Sequence, residues 1–204
     1  MMKNVILFVT LIIAGVLTLT SNLAYANSNS NSNDIVSWES TKRIYAAIYS
    51  GSPESMVKKM NSKLPVDGRI KITHTAKQQA VTMYHDGKQD FFLGYEVAWG
   101  TFGDGHKIQF IYYDNIIYQI NMIINPNTSK FPPVAKVALL SIGVSESNAQ
   151  KVTDEFLSAL VKAKKLPFKT TSKIGVAKNK TILCHGIIED AANAGAIIEA
   201  YWNK

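Results

Sequence analysis

The stretch "GDGHKIQFIYYDNIIYQINMII", Gly103 to Ile124, decides the fold of this chain. Ile108, Phe110 and Tyr112 recur at every second position before Asp114-Asn115, and Ile116, Tyr118 and Ile120 do so after it. A period of two is that of a strand with one buried face, so the stretch predicts a β-hairpin. A two-residue turn at Asp114-Asn115 would set Phe110 opposite Gln119 and Ile108 opposite Asn121, mixing apolar and polar faces. A three-residue loop, Tyr113-Asp114-Asn115, pairs Tyr112 with Ile116, Phe110 with Tyr118 and Ile108 with Ile120. A one-residue slip turns every side chain to the other face, so the three-residue loop is expected. Asn115 would close it in the left-handed conformation that asparagine tolerates.

Working upstream, "DFFLGYEVAWGTF" places Phe91, Leu93, Tyr95, Val97 and Trp99 on one face and Phe92, Gly94, Glu96, Ala98 and Gly100 on the other. The "GDG" link then makes an antiparallel meander. Asp86-Gly87 is a hairpin turn signal, preceded by strands over Arg69 to Thr75, with Ile70, Ile72 and His74 on one face, and over Ala80 to Tyr84. Further upstream, "SWESTKRIYAAIYSG" has helical spacing at Ile44, Ala47 and Ile48 and stops at Gly51. Ser52-Pro53-Glu54 begins a second helix with a capping hydroxyl, a proline in the first turn and an acid at the dipole's positive end. Met56, Val57, Met60 and Leu64 line its buried face.

Downstream, a helix is expected around Val134, ending near Gly143. Another follows, with Ser147 and Gln150 at capping-box spacing and Val152, Phe156, Ala159, Leu160 and Ala163 as its apolar stripe. Two strands turning at Lys178-Asn179-Lys180 come next. In the closing strand, Ile197, Glu199 and Tyr201 oppose Ile198, Ala200 and Trp202. The fold class is therefore α+β: antiparallel sheet meanders with helices packed on one face, in two similar helix-helix-strand halves. In element order, "GSPESMVKKM" followed by a meander ending "IQFIYYDNIIYQI" resembles the small envelope modules of outer-membrane assembly lipoproteins and the lactamase-inhibitor proteins. The lipid-bearing cysteine of the former is absent.

The chain opens Met-Met-Lys, followed by an uncharged apolar run from Asn4 to Thr20 and an A-x-A site at Ala24-Tyr25-Ala26. That pattern predicts a secretory signal peptide, residues 1–26, cleaved near Ala26, with export to the periplasm or medium. "NSNSNSND" has nothing to bury and reads as a polar tether over 27–34. One α+β domain is expected over 35–204. Removing Lys3 with the leader takes the net charge from +7 to +6. Eight lysines lie between Lys151 and Lys180, against Asp154 and Glu155. This run predicts attraction to an acidic surface, such as an anionic envelope polymer, a membrane surface or an acidic protein, through Lys162, Lys164, Lys165 and Lys169. It contains no arginine and offers no base-reading chemistry, which argues against nucleic acid.

No phosphate loop, zinc-protease or nucleophile-elbow motif is present. The four histidines, His74, His85, His106 and His185, are scattered singly and show no metal-ligand spacing, and no cofactor is expected. Cys184 is the only cysteine, so no internal disulfide can form, and its apolar surroundings predict a buried thiol. Cys184 and His185 are neighbours in a strand and point to opposite faces, which argues against a Cys-His dyad. Asp104 and His106 in the "GDGHK" turn are the candidates for a small exported hydrolase. The leading expectation is an exported, non-enzymatic binding module of inhibitor, immunity or envelope-accessory type with a protein partner. Its face would be formed by Glu96, Gln109 and Gln119 near Gly94, Ala98, Gly100, Ile111 and Ile117, with Tyr113 and Asp114 at the hairpin tip. Alternatives are the hydrolase and a lysine-driven binder of anionic polymer.

Overall fold

The computed structural model describes residues 35–36, 45–85, 88–103, 105–124, 131–162, 168–177, 180–188 and 194–202. The expected leader (1–26) and tether (27–34) lie outside them. Nine strands and three helices are described: β1 (Ile35–Val36), β2 (Tyr49–Ser50), α1 (Pro53–Asn61), β3 (Lys71–His85), β4 (Lys88–Phe102), β5 (His106–Tyr113) and β6 (Ile116–Ile124). After these come α2 (Phe131–Ser141), α3 (Glu146–Lys162), β7 (Phe168–Ala177), β8 (Lys180–Ile188) and β9 (Ala194–Trp202). The strands form one sheet of order β1-β4-β5-β6-β9-β8-β7, with β3 also pairing β4 and β2 also pairing β6. Among the described residues only β1 pairs in parallel. The fold is α+β. Two meanders, β3 to β6 and β7 to β9, each follow helices and join through β6 and β9.

The hairpin that frames the fold keeps Ile108, Phe110, Tyr112 and Ile120 on the expected face, whereas Ile116 and Tyr118 turn to the opposite cluster. Tyr113 pairs with Ile116, so the turn has two residues, and both Asp114 (φ 48°) and Asn115 (φ 57°) are left-handed. Positive φ at both central positions is the type I′ geometry, whose twist matches that of the strands. The register then shifts between Ile111 and Tyr112, leaving Tyr118 as a bulge. Beyond it, Phe110 pairs with Ile120 and Ile108 with Met122. The turn creates a parity error and the bulge cancels it. As a result Tyr118 leaves the face of Phe110 and joins the opposite cluster.

The main core lies between the sheet and the helices. It contains Ile108, Phe110, Ile120, Met122, Ile182, Cys184 and Ile198 from the strands, Met56 and Met60 from α1, and Val134, Ala138, Leu139 and Val152 from α2 and α3. In β4 it is the small residues that face the helices. Ala98 pairs with Phe110 and Gly100 with Ile108, while Trp99 and Val97 pair with Gln109 and Ile111 on the far side. This corrects the grouping of Ala98, Gly100 and Ile117 with Gln109 and Gln119, because helix packing requires the shallow surface. At Gly100 an added Cβ would lie 2.9 Å from the Lys71 carbonyl oxygen.

The helix expected to end at Gly51 is not formed over 45–50. Beyond the Gln119–Glu199 pair, β6 and β9 cease to bond each other, and this segment fills the gap. Tyr45 bridges Tyr201, the Ala46 amide donates to the Ala200 carbonyl at 2.8 Å, and the Ile48 amide donates to Ile117 at 2.9 Å. Satisfying strand edges on both sides outweighs a weak helical spacing. Lys180 also donates to the Ala47 carbonyl.

α1 starts as expected, with the Ser52 hydroxyl accepting from the Ser55 amide. The Asn61 side-chain amide clasps the backbone N–H and C=O of Ile70 at 2.7 and 2.8 Å, fixing the end of α1 to the approach to β3. α2 ends in a Schellman arrangement at Gly143 (φ 93°), with the Val144 amide bonded to the Leu139 carbonyl. The cap of α3 is Ser145 rather than Ser147: its hydroxyl accepts from the Asn148 amide, and Gln150 turns outward to Lys136 and Asp154. The two short strands expected before Asp86 are one strand, β3, with three register shifts. One of these shifts moves His74 off the face of Ile72 to stack on Trp99, with centroids 5.2 Å apart.

A candidate binding face

The side of the sheet away from the helices grades from open to closed along the strands. At its open end, Lys71 pairs with Thr101, Thr101 with Lys107 and Lys107 with Ile123, and Lys71, Thr101 and Lys107 are exposed. The same row continues through Gly195 and Ile187 to Lys169 on the far edge strand. At its closed end, Tyr45, Tyr95, Val97, Ile111, Tyr118, Leu183 and Tyr201 form a second buried cluster.

Between these ends runs a ribbon of polar side chains. On β7 and β8, Thr171 Oγ1 lies 3.0 Å from His185 Nδ1. His185 Nε2 lies 2.7 Å from Glu199 Oε1, which also accepts from the Tyr201 hydroxyl. Glu199 is fully buried, His185 half-buried and Thr171 exposed. On the next strands, Gln119 Nε2 donates to Asn121 Oδ1 at 2.6 Å, and Asn121 Nδ2 donates to Gln109 Oε1 at 2.8 Å. Gln109 is the register partner of Trp99, and Gln119 that of Glu199. Among the described residues, three buried atoms of this ribbon have no hydrogen-bond partner: Trp99 Nε1, Gln119 Oε1 and Glu199 Oε2.

The structure brings together only part of the expected set. Gln109 and Gln119 share this ribbon but are buried at 7% and 1% exposure, so they form its floor rather than a free surface. Glu96 lies elsewhere: it pairs with Tyr112, which belongs to the helix-side core, and sits 3.9 Å from Lys77. Burial, then the charges of Glu96 and Glu54, push the Tyr112 hydroxyl up to about 12. Tyr113 is not the tip of the hairpin. It is half-buried, edge-on to Tyr95 at 6.3 Å, and Asp114 and Asn115 are the exposed tip residues. Lys164 and Lys165 lie outside the described residues, and Lys162 and Lys169 are placed by backbone alone.

Of the hydrolase candidates, Asp104 lies outside the described residues, and His106 is buried at 1% exposure against Phe102, with ring centroids 5.1 Å apart. Cys184 sits in the helix-side core, and burial pushes its thiol up to about 12. As strand alternation requires, Cys184 and His185 occupy opposite faces.

Sequence reading passed over Asn121, Glu199 and the Thr171–His185 pair. A usable signal was present: Gln119, Asn121 and Glu199 interrupt strands that are otherwise apolar, and such groups are kept in a sheet interior only when they bond one another. No protein-family model, curated protein or solved structure matches this chain.

Proposed function

We propose that this chain is an exported, non-enzymatic binding protein whose open sheet face takes an acidic protein partner. The observation that carries the reading is the row Lys71–Thr101–Lys107, exposed at the open end of a face that no described helix covers. Lys173, also exposed on β7, stands at the opposite edge of the same face. Ammonium groups around a partly apolar floor attract carboxylates over a Debye length and then dock them beside Ile123, Ile197 and Trp99. The leader-like residues 1–26 support delivery outside the cytoplasm.

The test is capture from envelope extract by the mature chain, followed by titration of the captured partner. Lys71→Glu with Lys107→Glu should weaken binding about tenfold or more, mainly through slower association. Unchanged affinity in that double variant would remove the face from consideration. Binding that disappears at moderate salt, with an anionic polymer recovered in place of a protein, would favour the polymer reading. A mature protein that retains residues 1–26 would overturn export.

A second reading has its own observation: Thr171, His185 and Glu199 stand in series as hydroxyl, imidazole and carboxylate. With Nε2–H donating to Glu199, Nδ1 is the free base and can take the threonine proton as the oxygen adds to an ester carbonyl. The alcohol would leave with that proton, and water would release the acyl-threonine. p-Nitrophenyl acetate turnover that is lost in both His185→Ala and Thr171→Val, yet kept in the lysine double variant, would select an exported hydrolase over the binding module.

A further inference from the structure

We infer that the groove between α1 and β3 binds the C-terminal end of an extended peptide whose last residue is apolar and whose fourth residue from the end is basic. The groove is open and has a volume of about 480 Å³. Glu54, Val57, Lys58 and Asn61 line it from α1, and Arg69, just before β3, and Ile72 line it from the other side. Val57 is buried and Ile72 half-buried against the helix-side core, so the groove has an apolar floor. Glu54, Lys58 and Arg69 are exposed, and among the described residues none of the three takes part in an ion pair. Both ends of the Asn61 amide are bonded to the Ile70 backbone, which ties the two walls together before any ligand arrives. Ile72 and Lys71 are neighbours in a strand and face opposite sides, so this site is separate from the open face and independent of the partner taken there.

Two cations and one carboxylate around an apolar floor select a ligand with complementary groups in a set order. Glu54, Val57, Lys58 and Asn61 follow at i, i+3, i+4 and i+7, so they share one stripe of α1 about 10 Å long. An extended chain covers that length in about three steps. Arg69 belongs to the Asn61 end, next to the Ile70 that Asn61 holds, and Glu54 to the other. An arginine fork takes a carboxylate through two parallel hydrogen bonds, and Lys58 adds a second positive charge. A terminal carboxylate adjoins the side chain of its own residue, so oxygens held at Arg69 leave an apolar side chain over Val57 and Ile72. Three steps back the ligand reaches Glu54, which attracts a basic side chain and repels an acidic one. β3, which supplies Ile72, pairs with β4 along one edge, and no described strand pairs the other. The free N–H and C=O groups of such an edge are where an extended main chain adds as a further strand.

The experiment is fluorescence anisotropy on the full-length protein, with a labelled peptide that ends Lys-Ser-Ser-Leu and keeps its free carboxylate. Binding should saturate, and amidating the carboxylate should weaken it about tenfold or more. Arg69→Gln should weaken it by a similar factor. Glu54→Lys should reverse the preference at the fourth position, so that a peptide ending Glu-Ser-Ser-Leu becomes the tighter ligand. Both positions are exposed, so these variants keep the fold and a change in binding reports the contact itself. Amide exchange over Lys71 to Thr75 should slow in the complex, as expected of a strand edge that has gained a partner. No saturable binding at about 1 mM peptide overturns the site. So does equal binding of the acid and the amide, or an Arg69→Gln variant that binds as tightly as the wild type. Free leucine binding as tightly as the peptide would assign the groove to small amphipathic carboxylates and overturn the peptide.

Discussion

Gln119 and Glu199 stand opposite each other at the last pair that β6 and β9 share, and each keeps one buried oxygen without a donor. A buried acceptor in that position costs about 1–3 kcal/mol. Glu199→Gln places an amide donor beside Gln119 Oε1 while its own oxygen still accepts from His185 and Tyr201. We expect that variant to match or exceed the wild type by about 1 kcal/mol in urea unfolding near neutral pH. Glu199→Ala, which removes the carboxylate that His185 and Tyr201 bond and leaves a cavity, should lose about 3 kcal/mol or more.

The hairpin turn offers a cleaner test of backbone energetics. Asp114 and Asn115 both occupy left-handed conformations, which cost a side-chain-bearing residue and not glycine. Asn115→Gly should raise stability by about 0.4–1 kcal/mol, whereas Asn115→Val should lower it by more than that. Thermal melts of the two variants shifting in the same direction would contradict the type I′ assignment.

At Gly100 the backbone of β3 closes over the helix-side face of β4. A Cβ there meets the Lys71 carbonyl at 2.9 Å and Ile108 Cγ2 at 3.1 Å. The carbonyl belongs to a paired strand and cannot move aside cheaply, so Gly100→Ala should cost about 1–3 kcal/mol in denaturant unfolding. A neutral result would mean that the β3–β4 pairing is looser than its register implies.

Cys184 should behave as a core methyl-sized group. Burial pushes its thiol up to about 12, so almost none is thiolate at pH 8 and a disulfide-exchange reagent should label it only after unfolding. Labelling of the native protein at the rate of a model thiol would refute its burial. Cys184→Ser should cost about 1–3 kcal/mol for an unpaired hydroxyl in the same place.

Alkaline pH should destabilise the fold through two tyrosines. Burial, then nearby carboxylates, raises Tyr112 from 10.0 to about 12, and Tyr118 rises equally through burial and Asp114. Between those values the unfolded chain has lost protons that the folded chain keeps. Stability is therefore full below about 10 and falls as pH climbs towards 12. Tyr112→Phe and Tyr118→Phe should each reduce that slope. An unaltered slope in both would place the alkaline transition elsewhere.

Where the sequence was readable, one strand's own periodicity carried the information. Ile108, Phe110, Ile120, Ile198 and Ala200 lie on the core face, as their spacing implied, and Ser52-Pro53 starts a helix, because capping is decided within one turn. Where it misled, a second segment settled the outcome. Tyr45 to Ser50 has helical spacing, but the gap between two diverging strands draws it into extended pairing. Two turn geometries were both open to Asp114-Asn115, and the bulge at Tyr118 that reconciles the shorter one with the core leaves no mark in local spacing.

The sequence by itself determined the α+β class, the two meanders, the start of α1 and the buried thiol, since each follows from periodicity or from contacts a few residues apart. Only the tertiary structure decided which side of β4 meets the helices, and that Gln109, Asn121, Gln119, Glu199, His185 and Thr171 form one ribbon. These residues are up to about ninety positions apart in the chain. Register across five strands aligns them, and a hydrogen bond depends on position to within a few tenths of an ångström that no single strand's pattern can specify.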